Sequence, residues 1–192
     1  MYRAMCELLV AAHVAPKDAL SQLESTVGHL TESCKGWSAS VANNEAMQLA
    51  EKMQGTTPII YGGPLTAAAA YKWKIDANEN AKNTAWSNSF PELNHNEFIG
   101  WSSHPKEKPF TVIDLISSFE HPRVLRRFDV TDQLLEGMKP AAVKVEAKGD
   151  SVLEQLLYLV LLGDFATTYL AILNHVDPTP VDLVEKFKLE LG

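Results

Sequence analysis

The chain has 192 residues, of which 17 are basic and 24 acidic, so its formal net charge is −7. This balance argues against a nucleic-acid surface, which needs clustered positive charge, and a hydrophobic content of 46% argues against disorder. Its length suits one domain with a full core. Cys6 and Cys34 lack metal-ligand spacing and indicate a reducing, cytoplasmic compartment. No uninterrupted apolar run approaches the roughly 20 residues of a membrane span, so we expect no membrane partner.

The first 54 residues show helical periodicity without strands. Three helices are predicted there: Tyr2 to Val14, a second from an Asp18 cap to about Cys34, and a third capped by Asn43 or Asn44 and closed by Gly55. Glu7 interrupts the first apolar run, which therefore fits an amphipathic helix better than a signal peptide. We interpret residues 1–54 as a helical connector and residues 55–192 as the domain proper.

The stretch from Pro58 to Trp101 organises the chain. A short apolar strand (58–61) leads through Gly62-Gly63-Pro64 into a helix (65–81), and a second strand covers 85–90. This order is typical of an open α/β sheet, in which ligands lie at the carboxyl ends of strands. Glu79 and His95, each among asparagines, flank the second strand.

The remaining elements continue the alternation of strands and helices. They are predicted at 110–116 (a buried strand whose Asp114 needs a partner), 122–136 (a helix), 141–147 (a strand), 151–174 (an apolar helix capped by Asp150 or Ser151) and 181–191 (a last helix). The apolar helix is too hydrophobic for a surface position, so we expect it to be central or buried at a subunit interface. The pattern predicts an α/β sandwich with a mainly parallel sheet.

Residue chemistry alone leaves several functions open. Metal binding lacks a second His or Cys at ligand spacing, and nucleophilic hydrolysis lacks a G-x-S-x-G turn. Proton transfer next to a carbonyl suits one glutamate and one histidine. Alternatively, Asn78 and Asn80 simply end a helix, Glu79 is a solvated carboxylate, Glu92 begins a helix, and His95 is structural.

Two motifs resemble a known family. NENAK (78–82) and PELNHNEFIGW (91–101), following PIIYGG, are similar to the signature of the bifunctional phosphoglucose/phosphomannose isomerases, which belong to the sugar isomerase (SIS) superfamily. The ending VDPTPVDLVEKFKLEL resembles that family's C-terminus, and the resemblance covers about residues 40–191. It implies a SIS-type, flavodoxin-like three-layer αβα sandwich.

The resemblance also implies roles for individual residues. Glu79 matches the carboxylate that moves a proton between C1 and C2 of an open-chain sugar phosphate through a cis-enediol. His95 matches the ring-opening histidine, which a homodimer presents to the other subunit's site. Lys188, with Lys186 as runner-up, matches a lysine near the ring oxygen, and Arg3 matches a substrate-binding arginine that stabilises the enediolate. The implied mechanism uses no metal and no cofactor.

The chain departs from this family in one respect. Family members carry two SIS domains, and the first supplies the Ser/Thr-rich loops that hold the substrate phosphate, whereas this sequence matches the second. The turn 62–66 could bind an anion, but it offers one threonine, and Pro64 lacks an N–H, so we expect it to serve close packing.

Two hypotheses follow. The first is an isomerase of glycolysis and gluconeogenesis that converts glucose 6-phosphate or mannose 6-phosphate into fructose 6-phosphate. The second is a non-catalytic sugar-phosphate-binding module, or half a subunit that needs a separate first SIS domain.

Overall fold

The computed structural model describes residues 2–192, in which three N-terminal helices precede alternating strands and helices. The α-helices are α1 Tyr2–Ala11, α2 Ala19–Gly36, α3 Glu45–Met53, α4 Ala67–Glu79, α5 Glu97–Gly100, α6 Pro122–Leu134, α7 Val152–Leu173 and α8 Asp182–Leu191. The strands are β1 Thr57–Gly62, β2 Trp86–Ser89, β3 Phe110–Ile116 and β4 Val143–Glu146, and a 3-10 turn covers Glu92–Asn94. All four predicted strands are present, so the element order is confirmed.

The strands form one parallel sheet in the order β2-β1-β3-β4. Ile60 of β1 lies opposite Ser87 of β2 on one side and Ile113 of β3 on the other. The central strands β1 and β3 are almost continuously buried, as their apolar sequences require when helices cover both faces of a parallel sheet. The predicted three-layer αβα sandwich is therefore confirmed, with every strand pair parallel.

The larger core lies on the face covered by α3, α4 and α7. Trp73 of α4 is 1% exposed, and its indole Nε1 donates to the backbone oxygen of Leu159 in α7 at 2.7 Å. Gly163, one turn further along α7, lies against the same ring. By length and composition α7 could cross a membrane, but nine of its residues are buried in this fold. The prediction of a central apolar helix is confirmed.

A second, more aromatic core fills the opposite face, between the sheet, α6 and the segment after β2. Phe90 packs against Phe128 of α6 with ring centroids 4.3 Å apart, and Trp101 meets Phe110 edge-on at 5.6 Å. Leu93 is also buried there. These contacts bury the apolar side of the 90–101 segment, so its polar side chains are held in fixed places.

The N-terminal helices differ in how they join the domain. α1 packs on α2, and α2 packs on α7, while α3 places Ala46 and Leu49 in the main core. Asn44, one of the two predicted caps, accepts from the Met47 N–H at 3.0 Å. Asp18 stands at the start of α2 but makes no side-chain cap, because its carboxylate accepts from Gln22 instead.

Helix α8, at the other end of the chain, is exposed throughout.

Candidate active site

Glu79 is the last residue of α4 and is exposed. Helix α4 runs back against β1, so its end lies at the sheet edge where the strands begin. The preceding residue, Asn78, joins the end of α4 to the start of β2. Its Oδ1 accepts from the backbone N–H of Ala85, one residue before β2, at 3.0 Å. Asn80, on the other side of Glu79, donates to Thr167 of α7 at 3.2 Å. Both asparagines therefore fix the backbone on either side of Glu79.

A cavity of about 550 Å³ opens beside Glu79, between the end of α4 and the beginning of α8. Ligand sites commonly have volumes of about 300–1,000 Å³. Its lining residues are Asn78, Glu79, Lys82, Asn83, Thr84, Pro180, Val181, Asp182, Leu183 and Val184. The cavity thus combines an exposed carboxylate, an ammonium and apolar side chains, which a small polar molecule could contact together.

Lys82 is a cavity residue that we did not predict. Its Nζ donates to the backbone oxygen of Glu79 at 2.7 Å and to that of Pro178 at 3.2 Å, so it joins the end of α4 to the segment before α8. Lys82 has a φ of 50°, in the left-handed region where non-glycine residues are uncommon. Its place inside the NENAK motif was the available signal.

Lys188 lies in α8 beyond the cavity and pairs with Glu185 at 2.7 Å. Val181 and Val184 line the cavity, and Lys188 follows them by seven and four residues, which puts it on the same helical face. It is roughly 10 Å along the helix axis from Val181. Lys186 follows two other lining residues, Asp182 and Leu183, by four and three positions. The cavity therefore does not distinguish the two lysines, and Lys188 stays the prediction, with Lys186 as runner-up.

His95 lies beyond the opposite end of β2 and is exposed. Its neighbour Asn94 is held from α6, because Asn94 donates to the Thr131 hydroxyl at 2.8 Å and accepts from Arg127 at 3.1 Å. Asn96 accepts from the Glu97 N–H at 2.6 Å and begins α5. The backbone that carries His95 is therefore anchored on both sides.

Glu97 anchors the same segment to the sheet. The Tyr61 hydroxyl donates to Glu97 and accepts from the Trp101 indole at 3.1 Å, and Asn88 donates to the other carboxylate oxygen at 2.7 Å. Burial, followed by the charge of Glu97, raises the pKa of Tyr61, so its hydroxyl stays a donor at neutral pH. Glu97 thereby connects α5 to β1 and β2.

Glu79 and His95 do not meet within one chain. Glu79 lies at the amino edge of the sheet and His95 beyond the carboxyl edge, with the four residues of β2 between them. Four residues of strand span about 13 Å. The rule that ligands lie at the carboxyl ends of strands therefore fits the position of His95 but not that of Glu79.

Arg3 lies in α1, where it pairs with Glu7 at 2.9 Å and with Glu24 at 3.1 Å, and all three side chains are exposed. The hydrogen bond that Arg3 donates to Glu7 and the charge of Glu24 raise the pKa of Arg3. It does not line the cavity beside Glu79. Its role as a substrate-binding residue stays a prediction.

The turn after β1 is closed to external anions. A Cβ at Gly62 would lie 2.8 Å from the Thr66 carbonyl carbon, and one at Gly63 would lie 2.4 Å from a Glu120 oxygen. The Thr66 hydroxyl is buried and already bonds Gly63 N–H and the Leu115 oxygen. Both glycines are therefore required by close approach, which confirms the packing role predicted for this turn.

Glu120 occupies the position where an anion would bind at the start of α4. Its Oε1 accepts from the Leu65 N–H at 2.7 Å, and the residue is 5% exposed. Burial raises its pKa, and the hydrogen bonds from the backbone of Leu65 and Thr66 partly offset this. A helix N-terminus favours negative charge, and here the chain itself supplies the carboxylate.

No cluster suited to a metal is found in the described part of the chain, where no three His, Cys, Asp or Glu side chains converge. The polar groups that line the cavity beside Glu79 are its own carboxylate, two asparagine amides and the ammonium of Lys82, and a second carboxylate, Asp182, lies on the opposite wall.

Comparison with known proteins matches this arrangement to one family. The family model described as bacterial phospho-glucose isomerase C-terminal SIS domain matches residues 42–191. The bifunctional phosphoglucose/phosphomannose isomerase of Aquifex aeolicus is 34% identical over 175 residues, which are 91% of this chain and 52% of that protein. The enzyme of the same name from Caldicellulosiruptor bescii is 35% identical over 176 residues, covering 89% and 52%. The chain thus spans about half the length of the curated relatives it matches.

Solved structures support the fold assignment. A glucose-6-phosphate isomerase like protein from Thermus thermophilus superposes with a TM-score of 0.72 at 22% identity, covering 94% of this chain and 58% of that one. Glucosamine-6-phosphate deaminase from Thermotoga maritima superposes with a TM-score of 0.54 at 13% identity, covering 88% and 49%. At these identities the structures show the fold alone. The family model, which matches residues 42–191, establishes that the chain belongs to the family of bacterial phospho-glucose isomerase C-terminal SIS domains, in agreement with its bifunctional phosphoglucose/phosphomannose isomerase relatives.

Proposed function

We propose that this chain supplies the proton-transfer half of an aldose–ketose isomerase acting on hexose 6-phosphates. The observation that carries the proposal is the exposed Glu79 carboxylate at the rim of a cavity of about 550 Å³, inside the NENAK motif of a chain that belongs to this family. Interconversion of glucose 6-phosphate or mannose 6-phosphate with fructose 6-phosphate requires one base that reaches both C1 and C2.

Glu79 would act in two steps on the open-chain sugar. Its carboxylate removes the C2 proton of the aldose, and the electron pair moves to give a cis-enediol as the carbonyl oxygen takes up a proton. The protonated Glu79 then returns a proton to C1 while the C2 hydroxyl loses its own, which leaves the ketose. Lys188, on the cavity side of α8, would stabilise the ring oxygen during opening.

His95 would serve the site of a second copy. In one chain it lies across β2 from Glu79, so a shared site requires two subunits in a closed two-fold arrangement. The anchoring of Asn94, Asn96 and Glu97 supports this role, because a residue that works on another subunit's substrate must be held rigidly by its own subunit.

The substrate phosphate would be bound by groups other than the turn after β1. Thr66 is fully bonded and Glu120 fills the helix N-terminus, so the turn after β1 offers no group for a phosphate. The relatives are about twice as long as the matched region. Since remote phosphate contacts contribute much of the energy used in the chemical step, we expect the chain alone to have weak activity.

The test is a coupled assay for glucose 6-phosphate, and separately mannose 6-phosphate, formed from fructose 6-phosphate. Glu79→Gln should lower kcat by about 10²–10⁴-fold, the usual contribution of a positioned acid–base group. Glu51→Gln, which also changes an exposed helical glutamate, should have no effect. Equal activity in the wild type and Glu79→Gln would rule out Glu79 as the base.

A mixing experiment tests the shared site. Glu79→Gln and His95→Ala homodimers should both be inactive, but subunit exchange at equal amounts should restore about a quarter of the wild-type sites, because each mixed dimer holds one intact Glu79–His95 pair. A monomer in sedimentation at micromolar concentration, or no recovery after proven exchange, would contradict completion in trans.

A second candidate function is a sugar-phosphate-binding module without catalysis. It is favoured by the match to only half of the relatives' length, since a site without its phosphate loops loses contacts that contribute to the chemical step. Saturable binding of fructose 6-phosphate without turnover would select it over the isomerase. For either function we expect the cytoplasm, where the free thiols of Cys6 and Cys34 persist.

A further inference from the structure

A second cavity, of about 490 Å³, runs along the outer face of α6 on the other side of the sheet from α4. One wall is α6 and the other is formed by residues from the segment after β2. Its lining residues are Asn94, Phe98, Pro122, Arg123, Arg126, Arg127, Val130, Thr131 and Leu134. We call this cavity the α6 groove. It is polar and basic where α6 begins and apolar towards Leu134.

The basic end concentrates positive charge in an acidic protein. Arg123, Arg126 and Arg127 are three of the four arginines in a chain of net charge −7. In the described part of the chain none of them pairs with a carboxylate; Arg127 instead donates to the Asn94 amide oxygen at 3.1 Å. The spacing i, i+3, i+4 places the three cations side by side.

This placement is unfavourable for an isolated helix. Neighbouring like charges repel one another, and Arg123 lies in the first turn of α6, where the positive end of the macrodipole disfavours a cation. The acidic residues of α6 relieve this repulsion only in part. Asp129 pairs with Lys144 at 2.8 Å, and the charge of Arg126 makes a smaller contribution to lowering the pKa of Asp129. Asp132 pairs with Lys139 at 2.7 Å. Among the described residues that line the groove there is no carboxylate. An external anion would satisfy the arginines.

We propose that the α6 groove binds a phosphate-bearing small molecule. Guanidinium groups present paired donors that match phosphate oxygens, and two of them, Arg123 and Arg126, have no partner in the described part of the chain. Phe98, Val130 and Leu134 would contact the apolar part of the same molecule. The groove has the volume of a small-molecule site. This site is separate from the cavity beside Glu79 and goes beyond the proposed isomerase.

Occupancy would reach the segment that carries His95. Arg127 holds Asn94, the residue before His95, so an anion that draws Arg127 away changes one of the two bonds that fix Asn94. The groove therefore offers a route by which a bound metabolite alters the position of His95 without entering the Glu79 cavity.

The test is calorimetric titration of the folded chain with inorganic pyrophosphate and with ATP, without metal, in low-salt buffer free of other phosphate. Arg123→Gln/Arg126→Gln removes the two unpaired cations, and Lys17→Gln/Lys106→Gln makes the same charge change at exposed lysines elsewhere. Circular dichroism first establishes that all forms are folded. We expect both probes to bind the wild type and the lysine control equally, and the arginine variant about tenfold or more weakly.

Three results would overturn the proposal. The first is that neither probe binds the wild type at low millimolar concentration. The second is that binding weakens equally in the lysine control, and the third is that binding is unchanged in the arginine variant. Loss of self-association in the arginine variant without any loss of pyrophosphate binding would instead assign the groove to a contact between copies. Because the readout is direct binding, it does not depend on whether the chain isomerises sugars.

Discussion

Replacing Gly163 by alanine should destabilise the protein, because it adds a methyl group where α4 and α7 touch. A Cβ at this position would lie 2.3 Å from Nε1 of Trp73 and 2.4 Å from its Cδ1. The ring cannot yield easily, since it is 1% exposed and its Nε1 donates to Leu159 at 2.7 Å. Either the indole turns and loses this bond, or α4 moves away from α7.

The magnitude follows from three contributions. Overpacking of a well-packed core costs about 1–3 kcal/mol, and loss of the buried indole hydrogen bond costs about 1 kcal/mol more. Alanine is a better helix former than glycine by about 1 kcal/mol, which offsets part of this cost. The expected net loss in the free energy of unfolding is about 2 kcal/mol, which for a chain of this length lowers Tm by about 4–8 °C.

Gly28→Ala is the matched control. Gly28 lies in the interior of α2, and a Cβ there would meet no atom within 4 Å, so the same substitution should raise stability by up to about 1 kcal/mol. Thermal unfolding followed by circular dichroism, with urea unfolding to check that the m-value is unchanged, measures both variants. A Gly163→Ala protein as stable as Gly28→Ala would refute the packing argument.

Two further predictions concern single polar residues. Asp114, in the centre of β3, is 3% exposed, and burial followed by the charge of Asp132 raises its pKa to about 7. Because the folded state then binds more protons than the unfolded state, where the pKa is about 3.9, this residue's contribution to stability falls as pH rises from about 4 to about 7, by up to about 4 kcal/mol. Asp114→Asn should flatten the pH dependence of urea unfolding over that range. Asn44→Ala removes the α3 cap and a hydrogen bond to the Val41 oxygen, so we expect a loss of about 1–2 kcal/mol in thermal unfolding, which Asn44→Ser should largely restore.

Each of these predictions has an outcome that would contradict it. Parallel pH profiles for the wild type and Asp114→Asn would show that Asp114 titrates normally, its charge balanced by Lys139 and Lys144. If Asn44→Ser were as unstable as Asn44→Ala, the side chain would matter for its contact with Val41 rather than for capping.

The sequence predicted the sheet well because its signals are local. The strand at Phe110–Ile116 has the predicted bounds, since a run of apolar residues ends where polar residues begin. Ser151 was one of the two predicted caps of α7, and its hydroxyl accepts from Glu154 at 3.1 Å. Glycine and proline marked the turn after β1.

The site was less predictable because it depends on contacts between distant segments. Glu79 was predicted from its motif, but the opposite wall of the cavity beside it comes from residues 180–184, about a hundred positions later. Lys82 takes part through its bond to Pro178, which no local pattern indicates. Glu120 lies 55 residues after Leu65, and no local pattern connects the two.

The carboxylate of Glu120 also bears on how this domain could be redesigned. Glu120 is 5% exposed and holds the Leu65 N–H at 2.7 Å from a position 55 residues further along the chain. Removing the carboxylate alone would leave a backbone donor without its partner, which is costly where the group is buried. A phosphate-binding turn could therefore not be built by substitutions at 62–66 alone, because the segment after β3 would have to change with it.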